Sequence, residues 1–163
     1  MRLLVMRHAK SDWATGAMSD HGRPLNERGR RAADAMGAWL SAVGEAPDLV
    51  LTSSALRART TAERAAAAGG WKAPIVVEDA FYNATPETVV ARVARAADAH
   101  EVVLVVGHEP IWSELVAALC GGGRVRMPTA AVAIIEPIVP RWRDLRLGCA
   151  ELRALVTPKL LAP

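Results

Sequence analysis

Short apolar, β-branched runs alternate along this chain with longer stretches in which apolar positions recur every three or four residues. Leu3-Leu4-Val5-Met6 predicts a buried first strand. Asn26 can then cap a helix whose apolar stripe is Ala32, Ala33, Met36, Trp39, Leu40 and Val43, with Gly44 as its stop. Leu49-Val50-Leu51 predicts a second strand, followed by a helix from about Ala55 to Ala68 that Gly69-Gly70 ends. Ile75-Val76-Val77 predicts a third. Thr85-Pro86-Glu87 opens another helix, with an N-cap, a first-turn proline and an acid at the positive end of the dipole. Val102 to Val106 is a continuous apolar run of the kind a parallel sheet buries on both faces. Gly107-His108-Glu109-Pro110 leads from it into a helix carrying Ile111, Leu115, Val116 and Leu119, which Gly121-Gly122-Gly123 breaks. Late strands are expected near Ala131–Glu136 and Ala150–Val156. Alternation of this kind predicts a layered α/β fold with a largely parallel sheet. With no repeat, linker or low-complexity segment, residues 1–163 are expected to form a single domain.

Composition narrows the picture. An apolar share of 52% in 163 residues is enough for one sizeable core. The net charge is +3, and arginines and acids intermingle without a block of like charge, so no nucleic-acid partner is expected. The mild positive excess does suit an anionic substrate. Cys120 and Cys149 match no metal-ligand spacing and make no disulfide framework, which predicts a cytoplasmic protein. The apolar run before Arg7 is too short for a signal peptide or a membrane span, so no membrane association is expected.

Ligands of open α/β sheets collect at the carboxyl ends of strands. Here the first strand ends in Arg7-His8, the second in Thr52-Ser53-Ser54 with Arg57 a turn into the next helix, and the fourth in Gly107-His108. Two arginines and two histidines meeting at one edge are costly unless an anion lies among them, and a phosphoryl group is the obvious one.

These same residues carry a family resemblance. Arg7-His8-Ala9 resembles the Arg-His-Gly signature of the histidine phosphatase superfamily, to which phosphoglycerate mutases belong. Thr52-Ser53-Ser54-Ala55-Leu56-Arg57-Ala58-Arg59-Thr60-Thr61-Ala62 is similar to its second block and Val106-Gly107-His108 to its third. Asp20 to Gly29 and the closing Thr157-Pro158-Lys159 resemble the SixA-type branch, the small phosphohistidine phosphatases. The resemblance implies a three-layer α/β/α sandwich of the phosphoglycerate mutase-like type with a mostly parallel central sheet. It implies that His8 attacks phosphorus, with Arg7, Arg57 and His108 gripping the non-bridging oxygens. Ser11, Lys10 and Arg23 are candidate substrate contacts. No metal and no other cofactor is implied.

Departures from the family pattern refine this expectation. Where mutase-like members carry an asparagine this chain has Ala14, and Lys10 replaces an acid, both of which argue against sugar-phosphate mutase chemistry. Ester-cleaving members often carry a glutamate after the third strand as general acid; alignment puts Asn83 there, and an amide is no proton donor. Phosphohistidine needs none, because its leaving imidazole can be protonated on the nitrogen remote from phosphorus. Glu78, Asp79, Glu109 and Asp20 stay open as candidate general acids. The expected partner is a phosphorylated protein bearing phosphohistidine. The alternatives are a small phosphoester or pyrophosphate, and a module that binds phosphorylated partners without turnover.

Overall fold

The structure, a computed structural model, describes residues 1–13, 19–96 and 98–161. Strands β1 (Arg2–Arg7), β2 (Leu49–Ser53), β3 (Ile75–Glu78), β4 (Val102–Gly107), β5 (Val132–Pro137) and β6 (Ala150–Val156) form one sheet in the spatial order β3-β2-β4-β1-β5-β6. The pairings β3–β2, β2–β4 and β4–β1 are parallel. β5 runs antiparallel to both its neighbours, β1 and β6.

The period-two alternation of the central strands sorts their side chains onto two cores. Leu3, Val5, Leu49, Leu51, Val103 and Val105 point to one face. They are covered there by α3 (Pro86–Ala96) and α4 (Ile111–Leu119), through Val89, Val93, Trp112, Leu115 and Leu119. Leu4, Met6, Val50, Leu104 and Val106 point to the other face, against α1 (Glu27–Ala42) and α2 (Leu56–Gly69). The result is the expected three-layer α/β/α sandwich, and it explains why these strands read as unbroken apolar runs rather than alternating ones. A last short helix, α5 (Pro158–Leu161), packs beside α1.

Local signals account for the helix ends. The Asn26 Oδ1 accepts the Gly29 N–H at 2.8 Å, and the Thr85 hydroxyl accepts the Thr88 N–H at 3.3 Å. Gly70 closes α2 at φ 67°, a left-handed conformation that suits glycine. One expectation needs correction: Val43 does not extend the apolar stripe of α1. It lies beyond the helix end and is 49% exposed, so the buried stripe stops at Leu40. Helices α1 and α2 touch closely because their facing residues are small. A Cβ added at Gly37 would overlap the Ala65 backbone. Among the described residues, no helix is long and apolar enough to cross a membrane.

Candidate active site

Because β2, β4 and β1 are spatial neighbours and parallel, their carboxyl ends meet at one edge of the sheet. That register sets Arg7 beside Gly107, and His8 donates its backbone N–H to the Gly107 carbonyl at 2.9 Å. A cavity of about 400 Å³ opens above these ends, with Arg7, His8, Lys10, Ser11, Arg23, Arg57, His108, Glu109 and Thr129 around it. The four residues expected to carry the chemistry therefore come together, and so do the three expected substrate contacts.

His8 is 8% exposed, and its Nδ1 lies 2.8 Å from the Ala9 carbonyl oxygen. A carbonyl only accepts, so Nδ1 carries the proton and Nε2 keeps its lone pair. That Nε2 accepts a long contact of 3.4 Å from the Arg57 Nε–H. Burial pushes the imidazole down to a pKa of about 3; the Ala9 carbonyl opposes the shift, and the charges of His108, Arg57 and Arg7 add to it. His8 is thus a neutral imidazole at physiological pH, as a nitrogen nucleophile must be. The loop holding it is tied to α2: the Ala9 N–H donates to the Thr61 hydroxyl at 2.9 Å, which in turn donates to the Arg57 carbonyl at 2.6 Å.

His108 stands with its ring centre 5.1 Å from that of His8, and its Nε2 lies 2.8 Å from the Ser53 hydroxyl. Burial lowers its pKa to about 4, with Arg57 adding to the fall and Asp20 opposing it. Arg57 is 5% exposed and is held by Asp20 at two points. Its Nη1 donates to the Asp20 carbonyl at 2.7 Å and its Nη2 to the Asp20 carboxylate at 3.0 Å. Arg7 donates through Nη1 to the Met127 carbonyl at 2.9 Å. Burial lowers the Arg7 pKa, against the pull of Glu109. Ser113 links these last groups, donating to Glu109 at 2.8 Å and accepting the Met127 N–H at 3.0 Å.

Among the described residues, three buried nitrogen atoms of side chains lining the cavity find no hydrogen-bond partner: Arg7 Nε, Arg23 Nε and His108 Nδ1. Burying such groups unpaired costs about 1–3 kcal/mol each, so a site that collects three of them suits a ligand rich in acceptor oxygens. A tetrahedral oxyanion has that chemistry, and its negative charge would offset the crowding of Arg7, Arg23, Arg57 and Lys10.

The four candidate acids separate. Glu109 lines the cavity. Asp20 is engaged as an acceptor, taking hydrogen bonds from Tyr82 Oη at 2.9 Å, Arg57 at 3.0 Å and Arg23 at 3.0 Å. Burial alone would raise its pKa, but Tyr82 and the two guanidinium groups outweigh that and hold it below the usual carboxylate range. Glu78 and Asp79 lie at the end of the sheet-edge strand β3 and are not among the residues lining the cavity. Glu78 is paired with Arg92 on α3, and Asp79 is exposed at the start of a short 3-10 turn. Asn83 borders a neighbouring hollow shared with Tyr82, His108 and Glu109. Ala14 lies outside the described residues. Trp13 is 57% exposed, with the Arg23 guanidinium over its ring at 5.2 Å. His21 is exposed and sits 3.0 Å from the Ser54 hydroxyl.

Sequence reasoning gave no role to Thr61, Tyr82, Ser113 or Thr129. A signal existed for Thr61, a hydroxyl four residues after Arg57 and so on the same helix face, among alanines. Ser113 sits in the first turn of α4, while Tyr82 and Thr129 lie outside the long helices and strands, and none of the three offers such a pattern. Among the described residues, no group of three or more His, Cys, Asp or Glu side chains is arranged to hold a metal ion.

Comparison with known proteins agrees with this geometry. An uncharacterized protein of Mycobacterium tuberculosis is 38% identical over 164 residues, which cover 94% of this chain and all of that relative. A candidate phosphohistidine phosphatase SixA from Nakamurella multipartitia superposes with a TM-score of 0.83 at 30% identity, over 96% of this chain and 95% of that one. A protein histidine phosphatase SixA complexed with tungstate superposes with a TM-score of 0.80 at 27% identity, over 99% and 100% of the two chains. The profile of the histidine phosphatase superfamily (branch 1) matches residues 3–85, from the start of β1 through the loop that carries His8 and on past α2. On sequence, fold and strand-end histidines together, the chain belongs to the histidine phosphatase superfamily, branch 1.

Proposed function

We propose that this protein hydrolyses phosphohistidine on a protein partner, through a phosphorylated His8. The observation that carries the reading is the buried, neutral His8, with Nδ1–H fixed on the Ala9 carbonyl and the Nε2 lone pair met only by the long Arg57 contact. The lone pair of Nε2 forms a bond to phosphorus as the bond to the substrate imidazole breaks. The leaving ring departs neutral, carrying a proton on its remote nitrogen. Water then attacks the phosphorus on His8, and inorganic phosphate leaves as Nε2 recovers its lone pair. Arg7, Arg57 and His108 stabilise the equatorial oxygens, where charge is spread in the transition state. Lys10, Ser11 and Arg23 line the same cavity and complete the grip. Protein cations supply the charge that a metal supplies elsewhere, so the reaction is metal-independent. The likeness to a SixA that binds tungstate, a tetrahedral oxyanion, supports the same assignment.

A second reading, hydrolysis of small phosphoesters, is favoured by one observation: Glu109 borders the cavity, where it could protonate an alkoxide. Released phosphate should be measured for wild type and His8→Ala on a phosphohistidine protein and on a panel of sugar, nucleotide and aryl phosphates. Turnover of phosphohistidine that His8→Ala abolishes is the expected result. Preference for alkyl phosphates over phosphohistidine would transfer the assignment to the second reading, and full activity in His8→Ala would overturn both.

A further inference from the structure

Beside the catalytic cavity lies a second hollow of about 220 Å³ that shares Lys10 and Thr129 with it. Arg28 from the first turn of α1 and Thr157 and Lys159 from the start of α5 complete its polar lining. Ala32, Pro128 and Pro158 supply apolar wall. Lys10, Arg28 and Lys159 are all exposed, and none of them makes an ion pair or side-chain hydrogen bond among the described residues. Other surface cations are mixed: Arg59 and Arg124, for example, also lack an ion pair among the described residues, whereas six arginines have one. Arg2, Arg31, Arg64, Arg92, Arg141 and Arg153 are each matched to a carboxylate of this chain. Three unpaired cations therefore share one margin of the catalytic mouth, around a depression with room for a side chain.

We infer that this hollow is a second anion subsite, which takes a carboxylate side chain of the protein substrate borne near its phosphohistidine. The inference rests on the phosphohistidine reading above. Its cations differ in kind from those of the catalytic cavity. There, Arg57 is almost wholly buried and the lining side chains include buried nitrogens without a partner among the described residues. Here the cations are long and exposed, and threonine side chains stand beside apolar wall. That combination suits a half-solvated carboxylate with a methylene stem, arriving on a large surface that already presents the phosphoryl group to His8. Each rim charge contributes modestly, and its effect falls on encounter and binding rather than on the chemical step.

The test is the Arg28→Glu/Lys159→Glu double variant, which leaves the catalytic cavity intact. Three substrates are needed: a phosphohistidine protein with acidic residues flanking the modified histidine, the same protein with those acids changed to amides, and phosphoramidate. For the acidic protein, KM should rise about tenfold with kcat retained, and added salt should shrink the difference. The amide version and phosphoramidate should be turned over as by wild type, which also shows that the variant folds. Equal losses on all three substrates, or no change on any, would overturn the subsite. If wild type turns over phosphoramidate but not the phosphohistidine proteins, the functional reading itself fails and the subsite with it. Normal wild-type turnover of those proteins with an unaffected double variant removes the subsite alone.

Discussion

Replacing Asp20 by asparagine removes one charge from the site while keeping the shape of the side chain. In the structure Asp20 holds Arg57 twice, through its carboxylate and through its backbone carbonyl, and only the first contact depends on the side chain. Arg57 Nε in turn approaches His8 Nε2, so any loosening of the guanidinium is felt at the nucleophile. A hydrogen bond to a charged group contributes about 1.5–3 kcal/mol. The Asp20 side chain is 42% exposed, and solvent screening reduces this to about 1–2 kcal/mol. If that energy is lost in the transition state, kcat/KM falls by about 5- to 30-fold. Tyr82 and Arg57 donate to the same Asp20 oxygen, so an amide oxygen placed there keeps an acceptor for both; what Arg57 loses is the charge, and the fold should tolerate the change. The assay is kcat/KM for wild type and Asp20→Asn across phosphate esters of graded leaving-group pKa, beside one phosphohistidine protein. A residue that only positions Arg57 lowers every rate by the same factor. A loss that grows as the leaving group becomes more basic would show that Asp20 donates a proton, and the positioning role would be refuted.

Activity should survive exhaustive chelation with EDTA, since guanidinium and imidazole groups hold the phosphoryl oxygens; loss of activity restored by a divalent cation would contradict this. Both site histidines have pKa values depressed in the folded state, to about 3 for His8 and about 4 for His108. Below the unfolded value of about 6.5 the unfolded chain binds more protons, so stability is full above that pH and declines as pH falls toward the folded values. Thermal midpoints measured from about pH 7 to about pH 4.5 should therefore fall, and fall less steeply in a His8→Gln/His108→Gln variant; parallel curves would disprove the linkage. Gly29→Ala should destabilise the protein by about 2–4 kcal/mol in denaturant unfolding, because the new Cβ would overlap the Lys10 carbonyl. An unchanged midpoint would mean that the nucleophile loop is not seated on α1 as described.

The elements that sequence made legible are those whose signals are local. The run Val102–Val106, the Asn26 cap and the strand-end positions of His8 and His108 each depend on a few adjacent residues, and each appears where expected. Asp20 was legible only as a carboxylate near the site. Its partners Arg57 and Tyr82 lie 37 and 62 residues away, and no periodic pattern encodes such a meeting. That Glu78 and Asp79 lie off the cavity lining was hidden for a related reason. Adjacency to a strand end was readable, but not that β3 is the sheet edge, with the site centred on β2, β4 and β1. Val43 fits the helical spacing, yet a helix ends where its capping geometry says, and past that point the spacing no longer predicts burial.

The interleaved order of the sheet ties catalysis to the history of the folding chain. β1, β2 and β4 begin at residues 2, 49 and 102, so each neighbouring pair in the sheet closes a loop of many tens of residues before it gains a single ladder bond. Such long closures make pairing slow relative to helix formation, and neither pairing alone assembles a phosphate cradle. A nascent or partly unfolded chain can therefore carry native helices, and even a native hairpin of β5 and β6, while having no hydrolytic capacity at all. Regain of turnover during refolding becomes a clock for one event, the docking of the three central strands, and a late one relative to the optical signal of the helices.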